Sequence, residues 1–217
     1  MMKTEERIKE GKIIAIARRV PNQDIVNTAK AILKGGVTLL EITFDQVSAS
    51  CIEDTCEAIG LVKKALGDEM CVGAGTVLTE AQAEAAAKAG AEFALAPNTN
   101  IKLIKRIVEL GMTAIPGAMT PSEIEAAYEA GAGFVKVFPA GNFGESYVKA
   151  VVEPLSQIPL LAVGGVKLDN MRRFMNAGCV GAGIGSGIID KERIKAGDFE
   201  GITELAKKFM DQVQESV

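Results

Sequence analysis

Short apolar runs alternate with longer, charged stretches along almost the whole chain. The runs are rich in Val, Ile, Ala and Phe, as buried strands are, whereas the stretches between them place apolar residues at helical spacing. Eight runs are predicted to be strands: Ile13–Ala17, Leu39–Phe44, Met70–Val77, Phe93–Pro97, Met112–Gly117, Phe134–Pro139, Leu160–Gly165 and Val180–Gly185.

The stretches between the runs are predicted to be helices because they carry helix start and stop signals. Thr79 followed three residues later by Gln82 is a capping-box pattern, and Thr120-Pro121 places proline at the first helical position. Glycine follows several of these segments, as a C-terminal cap requires. Five segments are predicted in this way: Asp24–Leu33, Glu80–Ala89, Ile101–Leu110, Pro121–Ala130 and Asp169–Ala177.

Eight strand–helix units in 217 residues predict one α/β domain, residues 1–217, folded as a (β/α)8 TIM barrel with a short N-terminal helix. An open, doubly wound sheet is the alternative, because periodicity does not reveal whether a sheet closes. In a TIM barrel the activity lies at the C-terminal ends of the strands, and alternate strand residues face the interior.

The composition narrows the classes of partner. A net charge of -4 argues against nucleic-acid binding. There is no run of about 18 apolar residues, so no membrane span is expected. The charged N-terminus lacks the apolar segment of a signal peptide, so a cytoplasmic protein is expected.

The inventory of reactive side chains also excludes several chemistries. The chain has no histidine, which excludes Ser–His and Cys–His nucleophile systems and histidine-bound zinc. Acid–base chemistry must therefore use carboxylates, lysine, tyrosine, cysteine or water. No metal site or disulfide is expected, because the cysteines show no CxxC pairing and are predicted to be reduced. They are Cys51, Cys56, Cys71 and Cys179.

A carboxylate falls on the inward face of the second predicted strand. Glu41 shares this face with Leu39 and Thr43, so it should point into the barrel near its C-terminal end. Burial raises the pKa of a carboxyl, which suits a general acid or base. The alternative is a structural glutamate held in a salt bridge.

A lysine falls on the inward face of the sixth predicted strand. Lys136 lies between Phe134 and Phe138, and an ammonium is expensive to bury there. Its pKa should fall, which makes a neutral amine available as a nucleophile. The alternative is a structural ion pair, for example with Glu41.

Three further residues at strand ends are candidates for substrate binding. Arg18 has the inward parity of the first strand and is able to clamp a substrate carboxylate, although a surface arginine is the alternative. Arg19 has the opposite parity and is expected to be external. Thr76 ends the third strand, where it is able to hydrogen-bond a carboxylate or hydroxyl. Pro97 ends the fourth predicted strand, where it is either a pocket wall or a plain turn proline.

Two glycine clusters end the seventh and eighth predicted strands. They are Val163-Gly164-Gly165-Val166 and Gly181-Ala182-Gly183-Ile184-Gly185-Ser186. Loops after these two strands are the usual phosphate cradle of a TIM barrel, and glycine permits close approach of the backbone. Plain packing is the alternative for Gly183-Ile184-Gly185. A dinucleotide fold is disfavoured because no βαβ unit follows.

Together these strings resemble the 2-keto-3-deoxy-6-phosphogluconate (KDPG) / 4-hydroxy-2-oxoglutarate aldolase family. The resemblance runs in collinear order from about residue 11 to 190. The matching segments are Gly36-Val37-Thr38-Leu39-Leu40-Glu41-Ile42-Thr43, Gly73-Ala74-Gly75-Thr76-Val77, Phe134-Val135-Lys136-Val137-Phe138-Pro139-Ala140, Gly164-Gly165-Val166 and Gly183-Ile184-Gly185-Ser186.

The resemblance implies a homotrimeric class I aldolase that needs neither metal nor cofactor. Its substrate would be a phosphorylated keto acid: KDPG, or its 6-phosphogalactonate epimer, cleaved to pyruvate and glyceraldehyde 3-phosphate. Cleavage of 4-hydroxy-2-oxoglutarate to pyruvate and glyoxylate is a further implied activity. Lys136 would form the imine, and Glu41 would shuttle protons through a bound water. The other implied roles are pyruvoyl-pocket lining by Phe138 and Pro97, keto-acid contact by Thr76, and phosphate binding by Gly164, Gly165, Gly185 and Ser186.

The chain also departs from the commonest family pattern. Many relatives carry arginine, a carboxylate ligand, where this chain has Asp45, and others carry arginine at the end of the first strand. The carboxylate clamp is therefore assigned to Arg18. Many relatives have threonine where Val163 stands. With Ala96-Pro97-Asn98, this valine is closer to the branch with 6-phosphogalactonate aldolases, so the configuration at C4 of the substrate stays open.

Two other functions are compatible with the same residues. A phosphosugar isomerase or epimerase would use Glu41 as a base and Lys136 only as a charge. A non-catalytic barrel that binds a phosphorylated ligand would need neither residue for chemistry.

Overall fold

The structure, a computed structural model, describes residues 3–214 and contains a sheet of nine parallel strands surrounded by helices. Along the sheet the strands follow the order β5-β4-β3-β2-β1-β9-β8-β7-β6. Their bounds are β1 Ile13–Ala17, β2 Leu39–Thr43, β3 Cys71–Gly75, β4 Phe93–Leu95, β5 Thr113–Ile115, β6 Gly117–Ala118, β7 Val135–Val137, β8 Leu160–Val163 and β9 Gly181–Ile184.

The two edges of this sheet, β5 and β6, are two pieces of one predicted strand, the fifth, so the sheet closes into a barrel. β5 pairs with β4, and β6 pairs with β7. The interruption falls at Pro116, which has no N–H to donate to a neighbouring strand. Its carbonyl still accepts a hydrogen bond from the backbone N–H of Lys136 at 2.9 Å. The predicted α/β TIM barrel is confirmed, and the open sheet and the single strand Met112–Gly117 are wrong.

Helices connect the strands and cover the outside of the barrel. The predicted capping box is present, since the Thr79 side chain accepts from the Gln82 N–H and the Gln82 side chain accepts from the Thr79 N–H. The helices are α1 Thr4–Gly11, α2 Asn22–Lys34, α3 Cys51–Leu66, α4 Glu80–Ala89, α5 Ile101–Glu109, α6 Pro121–Glu129, α7 Ala140–Val152, α8 Met171–Asn176, α9 Lys191–Lys195 and α10 Phe199–Gln214, with a 3-10 turn at Gly67–Glu69.

Several predicted elements are longer than the observed ones. The chain leaves the sheet before Thr76, Gly164 and Gly165, whose φ values are +55°, +86° and +77°, so these predicted strands are too long. Helix α8 starts two residues later than predicted. The reason is that Asn170 binds the Lys167 N–H and the Gly165 carbonyl and holds a turn before the helix.

The apolar residues form two cores that follow strand parity. One core lies between the sheet and the helices and includes Leu40 and Ile42. The other fills the barrel interior and contains Leu39 and Phe134, with Phe138 packed against it. The alternation predicted for β2 and β7 is therefore confirmed.

Helix α1 covers the N-terminal end of the barrel. Ile8 is 1% exposed and belongs to the interior core. Arg7 contacts Glu92 and the carbonyl of Asp68, which lie just before β4 and β3. This end is therefore closed, and the interior opens towards the C-terminal ends of the strands. Within residues 3–214, none of the helices combines the length and the apolar character that a membrane span requires.

Candidate active site

Lys136 lies inside the barrel at the middle of β7. Its side chain is 6% exposed, and Nζ is 4.9 Å from the centre of the Phe138 ring. Burial lowers the pKa of Lys136, and the positive charge of Arg18 lowers it further, whereas Glu41 opposes both effects. Desolvation is the largest influence, so the site shifts the equilibrium of this amine towards its neutral form.

Glu41 lies inside the barrel on β2 and is 2% exposed. Burial raises the pKa of its carboxyl, while the charges of Lys136 and Arg18 act in the opposite direction. Its Oε2 atom is buried and has no hydrogen-bond partner among the described residues. The carboxyl is therefore held in the interior with one oxygen free to exchange a proton with a bound molecule.

Two glycines of β3 make room for this arrangement, a feature that the sequence reasoning missed. A β-carbon at Gly75 would overlap the Glu41 carboxyl, and one at Gly73 would overlap the Phe93 ring. Both glycines have the inward parity of β3, and Gly73 is opposite Glu41 in the β2–β3 register. The signal was present in the sequence as glycine at alternate positions of a strand, which marks close approach by another group.

Glu41 and Lys136 act on each other electrostatically but are not joined directly. Among residues 3–214, no ion pair within 4.0 Å and no hydrogen bond links the two side chains. The alternative of a structural salt bridge between them is therefore wrong. Both groups remain available to a bound molecule.

A cavity of about 960 Å³ opens at the C-terminal end of the barrel. The buried residues Lys136 and Glu41 do not line this cavity, and neither do Thr76 and Pro97. Lys167 and Lys191, which the sequence reasoning did not select, also line it. Six of the ten predicted site residues line the cavity: Arg18, Phe138, Gly164, Gly165, Gly185 and Ser186.

The two glycine clusters meet at one side of this cavity. Gly164 and Gly165 are in left-handed conformations, and the Gly164 carbonyl accepts from the Gly141 N–H at 2.7 Å. Within the described part of the chain, the backbone N–H groups of Gly165, Gly185 and Ser186 donate to no protein acceptor. A β-carbon at Gly185 would meet open space. Unpaired N–H groups beside an open space suit an anion such as phosphate.

Thr76 and Pro97 follow β3 and β4 on the far side of the barrel mouth. Thr76 is partly buried with φ +55°, and its carbonyl accepts from the Gln46 side chain at 2.8 Å. Pro97 is partly buried beside Gly117, where a β-carbon would overlap the Pro97 carbonyl. Both therefore stand at strand ends as predicted, without a contact that would assign them a role.

Arg18 and Arg19 diverge as strand parity predicted. Arg18 lines the large cavity, whereas Arg19 forms an ion pair with Asp45 outside it.

No group of three or more metal-ligating side chains is present among the described residues. The cysteines of this part of the chain are free thiols, and burial raises the pKa of Cys71 and of Cys179 to about 12.

Comparisons with known proteins agree with this geometry. Residues 4–205 match the model of the aldolase family described as KDPG and KHG aldolase. The chain is 37% identical over 175 residues to 2-dehydro-3-deoxy-6-phosphogalactonate aldolase from Escherichia coli (strain K12), which covers 80% of this chain and 82% of that protein.

Two solved structures share the whole fold. The structure described as native KDPGal is 33% identical, has a TM-score of 0.85 and covers 94% of this chain and 95% of its own. A KDPG aldolase from Legionella pneumophila, with pyruvate captured at low pH as a covalent carbinolamine intermediate, is 26% identical with a TM-score of 0.84 and covers 95% of this chain and 97% of its own. The chain therefore belongs to the KDPG and KHG aldolase family and is an aldolase, a lyase that cleaves carbon–carbon bonds.

Proposed function

We propose that this aldolase cleaves KDPG, or its 6-phosphogalactonate epimer, to pyruvate and glyceraldehyde 3-phosphate through an imine on Lys136. The observation that carries the proposal is the joint burial of Lys136 and Glu41, which lowers the pKa of the amine and raises that of the carboxyl. A nucleophile and a proton carrier thus share one interior. The covalent carbinolamine in the Legionella pneumophila relative gives further support.

Burial shifts both groups towards the protonation states that the first step needs. The low-dielectric interior disfavours both the Lys136 ammonium and the Glu41 carboxylate, and the first step is proposed to start from the neutral amine and the protonated acid. The amine attacks the C2 ketone of the substrate and forms a carbinolamine. Glu41 then protonates the departing hydroxyl, water leaves, and a positively charged imine remains beside the new carboxylate.

Cleavage and product release use the same two groups. The Glu41 carboxylate accepts the C4 hydroxyl proton, directly or through water, as the C3–C4 bond breaks. The electron pair of that bond moves into the imine, which becomes an enamine, and glyceraldehyde 3-phosphate leaves as the aldehyde. Glu41 returns the proton to C3, and hydrolysis of the imine releases pyruvate and restores the Lys136 amine.

The barrel mouth supplies groups for both ends of the substrate. The Arg18 guanidinium is proposed to bind the carboxylate, with Thr76 as a hydrogen-bonding neighbour and Phe138 and Pro97 as walls of the pyruvoyl pocket. The phosphate is proposed to bind the backbone amides at Gly164, Gly165, Gly185 and Ser186. Their position on the loops after β8 and β9 supports this assignment.

A coupled assay for pyruvate tests the proposal. Purified enzyme should release pyruvate from at least one of the two C4 epimers, and comparison of the two assigns the configuration. Lys136→Ala should abolish release, whereas Lys102→Ala, which changes an exposed lysine on α5, should not. An isomerase, or a barrel that only binds its ligand, would release no pyruvate from either epimer. The same assay with 4-hydroxy-2-oxoglutarate tests the additional cleavage to pyruvate and glyoxylate.

We also propose that the protein is a homotrimer, works without a metal or organic cofactor, and resides in the cytoplasm. These points rest on resemblance and composition. The molar mass measured by light scattering as the protein elutes from a size-exclusion column tests the trimer. Unchanged turnover after dialysis against a chelator tests the independence from metal.

A further inference from the structure

The loop that carries Arg18 is tied to the end of the neighbouring strand by an ion pair. Arg19 has φ +57°, a left-handed conformation that is uncommon for a residue other than glycine. Its guanidinium binds Asp45 through two bonds, Nε to Oδ2 at 2.9 Å and Nη2 to Oδ1 at 2.9 Å. A planar fork that meets a carboxylate in this way fixes direction as well as distance.

Asp45 is itself held in place beyond β2. Its carbonyl accepts from the Ser48 N–H at 2.9 Å, so it stands in an ordered turn. The Thr43 hydroxyl donates to the Ala17 carbonyl at 3.4 Å and joins the ends of β2 and β1. Asp45 therefore provides a fixed partner for the residue that follows Arg18.

Arg18 has no comparable support of its own. Its guanidinium makes no ion pair or hydrogen bond with any described residue of the chain, and the side chain is exposed. It lines the large cavity, whereas Arg19 and Asp45 line a separate cavity of about 490 Å³ beside α2 and α3. Within the described residues, no side-chain hydrogen bond or ion pair therefore fixes the direction of Arg18, which leaves the backbone of the turn after β1.

We propose that Arg19 and Asp45 are positioning residues that hold the left-handed turn after β1 and so direct the Arg18 guanidinium at the substrate carboxylate. Asp45 is an anion and does not bind that carboxylate itself. It acts through Arg19 on the backbone and through the backbone on Arg18. This inference rests on the proposed function, because it assigns to Arg18 the carboxylate of the keto acid.

A selective loss of carboxylate binding distinguishes this role from general stabilisation. Imine formation is measured as inactivation by borohydride at increasing concentrations of pyruvate or of pyruvamide, its neutral analogue. Asp45→Asn should raise the half-saturating pyruvate concentration about fivefold, the upper range for an exposed ion pair, and leave that for pyruvamide unchanged. Glu200→Gln is the matched control, since it removes the exposed Lys34–Glu200 ion pair at the far end of α2.

Arg19→Gly provides an independent arm. Glycine adopts a positive φ without strain, so this variant should keep the turn without the ion pair. Asp45→Asn should then have little further effect in the Arg19→Gly background. The inference is contradicted if Asp45→Asn affects pyruvate and pyruvamide equally, affects neither, or acts as strongly in the Arg19→Gly background. If the unaltered enzyme forms no adduct with either ketone, the proposed function itself fails and this inference with it.

Discussion

Gly75 of β3 lies against the Glu41 carboxyl so closely that a β-carbon at residue 75 would occupy the same space. The absence of a side chain at this position is therefore part of the active-site geometry. Gly75→Ala should displace the Glu41 carboxyl and lower kcat by at least about 100-fold, the low end of general acid–base contributions. Steady-state kinetics checks this, and wild-type kcat in a folded variant would contradict it.

Gly60 provides the matched control because it is a glycine whose surroundings leave room for a side chain. It lies within α3, and a β-carbon there would meet nothing within 4 Å. Gly60→Ala should raise the free energy of unfolding by about 0.5–1 kcal/mol through helix propensity and leave kcat unchanged. Chemical denaturation measures the first effect, and a destabilised variant would show that the position is constrained.

Glu41→Gln should separate the chemical role of the carboxyl from its effect on stability. The amide keeps the shape but acts as neither a general acid nor a general base, so kcat should fall by about 10²- to 10⁴-fold. Accumulation of the pyruvate adduct should be affected less than turnover of the full substrate. Rapid-quench measurement of both steps tests this, and an equal loss in both would argue against proton transfer at C4.

The pH dependence of stability follows from the raised pKa of Glu41. The unfolded chain releases this proton near pH 4.3, whereas the folded chain retains it to higher pH. The native state therefore binds more protons in that window, and this group lowers the free energy of unfolding as pH rises. Glu41→Gln should remove the effect, so its stability relative to the wild type should increase above about pH 4.5. Denaturation curves at several pH values test the trend, and a constant difference would contradict it.

Gly185→Ala should affect the phosphate end of the site alone. Gly185 lines the cavity, and a β-carbon there would meet open space, so the fold should tolerate the substitution. The methyl group would intrude on the proposed phosphate position and raise KM for the phosphorylated substrate about tenfold, equivalent to one or two lost polar contacts. Adduct formation with pyruvate, which has no phosphate, should be unchanged. A loss in both would place the phosphate elsewhere.

Much of the fold and the centre of the site follow from the sequence because strand parity depends only on local alternation. Parity places Glu41 and Lys136 inside the barrel, and the structure agrees. The space that Gly75 leaves for Glu41 depends on the register between β2 and β3, which alternation does not specify. The Arg19–Asp45 ion pair joins two loops across 26 positions, and no local pattern predicts such a contact.

The predicted strand ends were wrong for a related reason. Thr76, Gly164 and Gly165 continue the apolar or small-residue runs in sequence, but their positive φ values turn the chain out of the sheet. Composition does not distinguish the last paired residue from the first loop residue. These first loop residues surround the barrel mouth, so the least predictable bounds lie where binding is proposed.

Borohydride trapping with pyruvate tests the central claim, that Lys136 forms the imine, most directly. The enzyme is incubated with pyruvate, reduced and digested, and the modified peptide is identified by mass spectrometry. The account predicts irreversible inactivation with one reduced pyruvoyl group on Lys136, and no such adduct in Lys136→Ala. An unmodified Lys136 in an enzyme that still releases pyruvate, or an adduct on another lysine, would contradict it.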